Sequence, residues 1–195
     1  MEQYKSGKLR WVVVALCCCC IALFSLSFAA SQYFYFSKRE QGGVHDVYNE
    51  SIIGKRLPEA KLIDLKGHAL GDNELRGGKV MLVLLSSDCE PCSMEGQFLK
   101  TLVNKYSDLR FYGALLFWSD RSLNGVEDKF PMKLFVDQDM LLQQALEVKA
   151  LPLKIFLVNG VVIKAWAGTA TTPVAREAFL KDFEEVIKSI APSER

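Results

Sequence analysis

The segment 80–96, "VMLVLLSSDCEPCSMEG", sets two cysteines three positions apart between a strand pattern and a helix pattern. The uninterrupted apolar run before Cys89 is typical of a strand that is covered on both faces of a sheet. After Cys92, apolar residues recur at helical spacing to about Tyr106, and Pro91 falls in the first turn, where its missing N–H costs nothing. We therefore predict that a buried strand passes into a helix at the cysteine pair.

The rest of the soluble part alternates in the same way. A second buried strand at 111–117 completes a strand–helix–strand unit, which predicts parallel pairing of its strands. Asn159-Gly160 lies between two extended runs and predicts an antiparallel hairpin. The further expected elements are strands at 133–136, 153–158 and 161–166, and helices at 140–146 and 173–190, the last capped by Thr172. Together they predict an α/β domain with a mixed central sheet flanked by helices.

The N-terminal part predicts a membrane anchor. Residues 11–36 carry no charged side chain, which is long enough for a transmembrane helix. We expect a cytoplasmic tail at 1–10, a transmembrane signal anchor at 11–36, a polar tether at 37–53 and the folded domain at 54–191. A cleaved signal peptide ending near Ala29 is the alternative. Both interpretations place the domain outside the cytoplasm, on the periplasmic or outer side of the inner membrane.

Charge and cysteine content narrow the possible functions. The formal net charge is +1, so we expect no nucleic-acid partner. Four of the six cysteines, Cys17 to Cys20, lie in the predicted anchor, where thiols act as small apolar groups. Cys89 and Cys92 are therefore the thiols of the soluble domain.

Three interpretations of the cysteine pair differ in what they require. A structural zinc site needs two further ligands, and the scattered His45 and His68 supply no convincing second pair. A purely structural disulfide would close a very short loop and stabilise little. A redox dithiol needs only the helix start, which stabilises the Cys89 thiolate as nucleophile and leaves Cys92 as the resolving thiol. We expect no metal and no cofactor beyond a redox-active Cys89–Cys92 disulfide.

Four segments that follow one another over residues 54–190 match the pattern of a known family. They are "GKRLPEAKLIDLKG", "VMLVLLSSDCEPC", "FPMKLFVDQD" and "VKALPLKIFLVNGVVIKAWAG". On these segments the chain resembles the thioredoxin-fold redoxins, in particular membrane-anchored thiol-disulfide oxidoreductases of the TlpA/ResA kind that serve cytochrome c maturation. The resemblance implies a thioredoxin-like fold, client proteins such as apocytochrome c or its maturation factors, and a membrane electron donor.

The resemblance assigns two further site residues. Pro152 stands where the family places a cis-proline that packs against the disulfide and contacts the substrate. Glu95 matches an acidic residue three positions after the second cysteine, and helical spacing places it beside Cys92. It is a candidate proton shuttle to the resolving thiol, and the alternative is a solvated helix carboxylate.

The sequence also departs from the family pattern. The aromatic residues usual before the first cysteine are absent, and Val83 stands where thioredoxin itself has a buried acid. Asp88 places a negative charge beside Cys89 that opposes thiolate formation, or it caps the helix. These departures leave open how reactive Cys89 is and which client it meets.

Three other functions remain as alternatives. The first alternative is a maturation factor for one specific periplasmic enzyme, as in methylamine dehydrogenase assembly. The second is a thiol peroxidase, for which Ser86 is suitably placed but Leu82 stands where a proline is expected. A non-enzymatic metal chaperone would need ligands beyond Cys89 and Cys92.

Overall fold

The computed structural model describes residues 50–119 and 123–190. The predicted tail, the predicted anchor and the tether up to residue 49 lie outside these residues. Within the described ranges, no helix combines the length and the apolar character needed to cross a membrane.

The described chain forms one six-stranded mixed sheet in the order β1-β4-β3-β2-β5-β6. Strands β2, β3 and β4 pair in parallel, whereas β1, β5 and β6 pair antiparallel to their neighbours. The predicted parallel unit and the predicted hairpin are thus confirmed. The strands are β1 Leu62–Asp64, β2 Lys79–Ser86, β3 Arg110–Phe117, β4 Lys133–Asp137, β5 Leu153–Val158 and β6 Val161–Ala167.

The helices begin and end close to the predicted residues. Thr172 caps the last helix as predicted, since its Oγ1 accepts a hydrogen bond from the Ala175 N–H at 3.2 Å. The hairpin turn has positive φ at Asn159 and Gly160, which the Asn-Gly pair allows at low cost. The helices are α1 Asp72–Arg76, α2 Glu90–Lys105, α3 Leu141–Ala145 and α4 Pro173–Ser189, with a 3₁₀ turn at Glu127–Lys129.

Strand β2 packs against helices on both faces of the sheet. Its residues from Val80 to Leu85 are fully buried, because helices cover both faces of the sheet. Leu82 and Leu84 belong to the core that includes residues of α1 and α3, whereas Val83 and Leu85 belong to the core shared with α2 and α4. The α2/α4 core contains a group of aromatic rings in mutual contact: Phe98, Phe156, Trp166, Phe179 and Phe183.

The register of the central strands brings three distant segments to one edge of the sheet. Ser86, the last residue of β2, pairs with Phe117 at the end of the parallel strand β3. Leu153, the first residue of the antiparallel strand β5, pairs with Leu84 of β2. The start of α2, the end of β3 and the segment before β5 therefore meet at the carboxyl end of β2.

Candidate active site

Cys89 is the N-cap residue of α2. Its backbone is extended, with φ −87° and ψ 109°, and its Sγ accepts a hydrogen bond from the Cys92 N–H at 3.1 Å. Asp88 is exposed and precedes the cap. The alternative that Asp88 caps this helix is wrong, because the N-cap position is occupied by Cys89 itself.

Cys89 and Cys92 form a disulfide, and their Cα atoms are 5.2 Å apart. Cys89 is partly exposed, whereas Cys92 exposes none of its surface. Cys89 also lies at the positive end of a helix of 16 residues, where unpaired N–H groups favour a thiolate over a thiol. After reduction, Cys89 would therefore be the accessible and more readily ionised sulfur.

The peptide bond between Leu151 and Pro152 is cis, as the resemblance implied. Pro152 is buried, and its carbonyl accepts a hydrogen bond from the Gly168 N–H at 2.9 Å. It immediately precedes β5 at the edge of the sheet where α2 begins. Leu151 belongs to the same hydrophobic cluster as Cys89 and Cys92.

Glu95 is fully buried, with no exposed surface. The alternative of a solvated carboxylate is therefore wrong. Glu95 follows Cys92 by three positions on α2, a spacing that places the two Cβ atoms roughly 5–6 Å apart on one helix face. The side chain is buried because this face of α2 packs on the sheet and on the segment between β6 and α4, where the Ala170 N–H donates to Glu95 Oε2 at 2.7 Å.

Lys154 is the partner that the sequence analysis missed. Its Nζ lies 2.6 Å from Glu95 Oε1, and the two side chains expose 2% and 0% of their surface. Lys154 Nζ also donates to the Gly168 carbonyl at 2.7 Å. Burial lowers the pKa of the Lys154 ammonium group, and the charge of Glu95 and its hydrogen bond oppose that shift. The signal in the sequence was a single charge inside "LKIFLV", a run predicted to be a buried strand.

Exposed aromatic side chains lie at the end of β3, the strand that pairs with the segment before Cys89. Phe117 exposes 47% and Trp118 exposes 40% of its surface. The Phe117 carbonyl accepts a hydrogen bond from the Ser87 N–H at 3.2 Å, two residues before Cys89. The sequence does not predict this position of the two rings, because only the register of β2 and β3 brings Phe117 opposite the segment before Cys89.

The described ranges contain no group of three or more His, Cys, Asp or Glu side chains that could hold a metal ion. His68 lies 3.2 Å from Asp64 in a surface turn, and that turn also supplies backbone N–H donors to the carboxylate. These donors lower the pKa of Asp64. His45 falls outside the described residues.

No protein-family model matches the chain, and no curated protein matches it in sequence. Solved structures do match. A protein of Chlorobium tepidum described as a thiol:disulfide interchange protein DsbE superposes with a TM-score of 0.58 at 18% identity, covering 69% of this chain and 97% of that chain. The thioredoxin domain of a Bacteroides vulgatus thiol-disulfide oxidoreductase gives 0.55 at 19% identity, over 67% and 96%.

The described domain has a thioredoxin-like fold. A secreted Mycobacterium tuberculosis disulfide oxidoreductase described as homologous to Escherichia coli DsbE shares it, with a TM-score of 0.53 at 13% identity over 67% of this chain and 95% of that chain. The predicted fold class is thereby confirmed for the domain. At such low identity the likeness concerns the fold, so the chemistry of this chain has to be argued from its own residues.

Proposed function

We propose that this protein is an extracytoplasmic thiol-disulfide oxidoreductase that is tethered to the membrane by residues 11–36 and reduces disulfides in client proteins. The observation that carries the proposal is the Cys89–Cys92 disulfide at the start of α2, with one sulfur partly exposed and the other buried. A dithiol in this arrangement has a distinct attacking thiol and a distinct resolving thiol.

The reaction proceeds in two exchanges. The Cys89 thiolate attacks one sulfur of the client disulfide, which forms a mixed disulfide and releases the other client sulfur as a thiolate that takes up a proton. Cys92 then loses its proton and attacks Cys89 Sγ, which forms the Cys89–Cys92 bond and releases the second client sulfur. The protein dithiol gives up two electrons, and the client disulfide receives them.

The surroundings of the disulfide suit a polypeptide substrate. The carbonyl of Pro152 accepts a hydrogen bond from the Gly168 N–H. In the described ranges, the N–H and C=O groups of Leu151 have no backbone hydrogen-bond partner. We therefore place an extended client segment along Leu151 and Pro152. The exposed side chains of Phe117 and Trp118 would contact the apolar residues that flank a client disulfide.

The clients we propose are apocytochrome c or factors that mature it, and a membrane electron carrier would reduce the Cys89–Cys92 disulfide after each cycle. These proposals rest on the four sequence segments that resemble membrane-anchored redoxins. They also agree with a predicted location outside the cytoplasm, where thiols of cytochrome c precursors become oxidised.

The decisive experiment replaces Cys92 with Ser in the full chain in its native host. We expect clients to stay covalently bound to Cys89, because the resolving thiol is missing, and mass spectrometry would identify them after purification without reductant. The matched control is C89S/C92S, which should capture none. If C92S is folded and abundant but carries no reducible partner, the proposed activity is wrong.

The tether is tested separately by fractionation. An anchored chain should remain in the membrane pellet after alkaline carbonate extraction and should keep its N-terminal residues. A soluble product that begins near Ala30 would instead support the cleaved signal peptide.

A further inference from the structure

Glu95 follows Cys92 by three positions on α2, and its pair with Lys154 joins three segments of the active-site edge. Glu95 belongs to α2, Lys154 to β5, and their backbone partners Ala170 and Gly168 to the segment between β6 and α4. Each carboxylate oxygen has one hydrogen-bond donor and can accept a second, so Glu95 retains room for the proton of Cys92.

Stability alone does not account for a charged pair at this position. Lys154 pairs with Val83 across the β2/β5 ladder, and its Nζ lies 5.4 Å from the centre of the Phe179 ring. Two charges in such an apolar layer lose their hydration, and well-packed apolar replacements of buried ion pairs are often neutral or stabilising. This pair occupies the helix face of Cys92, which indicates a chemical role.

We propose that Lys154 is a positioning residue for the second exchange, in which its ammonium group supplies the counter-charge of the buried Glu95 carboxylate and orients it to take the proton of Cys92. This inference rests on the proposed function. A buried carboxylate without a counter-charge would favour its protonated form and would be unable to accept another proton. Lys154 removes that obstacle.

The charges balance throughout the proton transfer. Before it, the site holds a Cys92 thiol, a Glu95 carboxylate and a Lys154 ammonium group, with zero net charge. After it, the site holds a thiolate, a carboxylic acid and the same ammonium group, again with zero net charge. Without Lys154, the site would carry an uncompensated negative charge in the core both before and after the transfer, which is costly.

The other groups around the pair do not supply this counter-charge. On β2, the residue paired with Lys154 is the uncharged Val83. On α4, the Nε of Arg176 donates to the Ala170 carbonyl at 2.8 Å, so that guanidinium is engaged with the backbone. On α2, the titratable groups besides Glu95 are Cys92 and the exposed side chains of Glu90, Lys100 and Lys105, while Cys89 and the exposed Asp88 precede the helix.

In the reaction, the Cys92 proton moves to Glu95, and the resulting thiolate attacks Cys89 Sγ. The Cys89–Cys92 bond forms as the bond between Cys89 and the client breaks, and the client sulfur leaves with the electron pair. Glu95 then gives its proton to that departing thiolate or to water. Lys154 keeps its own proton throughout.

Reaction of the reduced protein with DTNB separates the two exchanges in time. We would use the full chain with alanine in place of Cys17 to Cys20, so that only the active-site thiols react. Attack by Cys89 releases the first thionitrobenzoate at a rate that depends on DTNB concentration. Attack by Cys92 on the Cys89 mixed disulfide releases the second at a rate that does not.

We expect Lys154→Met to slow the second release about 100-fold at neutral pH, the size of a general-base contribution, and to shift its pH midpoint upward. The first release should stay within about twofold of wild type, since Cys89 is not the thiol that Glu95 serves. Lys154→Gln keeps a hydrogen-bond donor but no charge, and it should slow the second release as much as Lys154→Met does. It replaces Lys154→Met in the test if that variant does not fold. Glu95→Gln should slow the second release equally, and adding Lys154→Met to it should change nothing further.

The inference is overturned if both Lys154 variants keep the wild-type second release and its pH midpoint, or if the Lys154 and Glu95 effects add in the double variant. Equal slowing of both releases would indicate a structural role and would also overturn it. A wild-type protein that shows no second release contradicts the proposed function instead, so the two failures are distinguishable.

Discussion

Cys89 and Cys92 are the same residue type on the same helix, yet their surroundings differ in every respect that matters for thiol chemistry. Cys89 is partly exposed and caps the helix, and the exposed Phe117 pairs with Ser86, three residues before it. Cys92 is fully buried and shares a helix face with Glu95, which is paired with Lys154. In the proposed reaction, three residues of helix thus separate the nucleophile that meets the client from the thiol that needs an internal base.

The surroundings of Cys89 and of Cys92 also stabilise charged groups in different ways. On the Cys89 side, the backbone N–H groups of the helix start supply fixed positive dipoles, which act on any anion placed there. On the Cys92 side, water is excluded, so a charged group is tolerated only with a partner. The exposed side is governed by local geometry and the buried side by tertiary contacts.

The largest expected effect is the difference in reactivity of the two reduced thiols. Iodoacetamide should modify Cys89 on the order of 1,000-fold faster than Cys92, because Cys92 reacts only when the fold opens locally. Mass spectrometry of the labelled peptides over time measures both rates in one sample.

The control for that prediction is the chain unfolded in urea, in which the two thiols should react at similar rates. Similar rates in the folded protein would remove the distinction between the cysteines on which the proposed reaction depends.

Breaking the buried pair should have the next largest effect. Glu95→Gln and Lys154→Met should each lower the free energy of unfolding by about 3 kcal/mol, because each leaves one charged group buried without its partner. The double variant should lie within about 1 kcal/mol of wild type, since it removes both charges together. Urea unfolding measures all four proteins. A double variant less stable than either single variant would show that the pair serves stability.

The difference in the free energy of unfolding between wild type and the double variant E95Q/K154M should depend on pH. The folded pKa of Lys154 is below its usual 10.5, so between these two values the unfolded chain binds more protons than the folded chain. The free energy of unfolding of wild type should therefore rise relative to that of E95Q/K154M as pH increases through this window. Urea unfolding at several alkaline pH values checks the sign, and a falling difference would contradict the lowered pKa of Lys154.

A smaller effect is expected at Gly96, next to Glu95 on the buried side of α2. A Cβ atom there would overlap the Lys129 carbonyl oxygen. Gly96→Ala should therefore lower the free energy of unfolding by about 2 kcal/mol, although alanine favours helices. Gln97→Ala, on the exposed side, is the matched control and should change it by no more than about 0.5 kcal/mol. Stabilisation by Gly96→Ala would show that α2 is not held closely against Lys129.

The smallest effect is expected on the exposed side. Phe117→Ser with Trp118→Ser should slow reduction of a protein disulfide such as that of insulin about threefold, because apolar client contacts are lost. The rate with DTNB should not change. The control is Ile53→Ser, an exposed apolar residue at the opposite edge of the sheet. Equal slowing with insulin and DTNB would place the effect on Cys89 chemistry instead of client contact.

Much of the fold was predictable because its signals are local. The strand before Cys89, the helix after it, the Asn159-Gly160 turn and the Thr172 cap each depend on a few consecutive residues. The cis bond at Pro152 was predicted from a motif, through resemblance. The order of Cys89 and Cys92 along the helix start predicted which of them is exposed and which is buried.

The buried side of the site was decided by the tertiary structure. Glu95 and Lys154 are 59 positions apart, and only the β2/β5 register and the packing of α2 bring them together. A lysine in an apolar strand pattern shows that a charge is present but not which partner neutralises it. The sequence by itself determined that the dithiol lies between a strand and a helix, because helix and strand patterns depend on neighbouring residues. The fold decided what surrounds Cys92, because burial and charge pairing depend on residues that are distant along the chain.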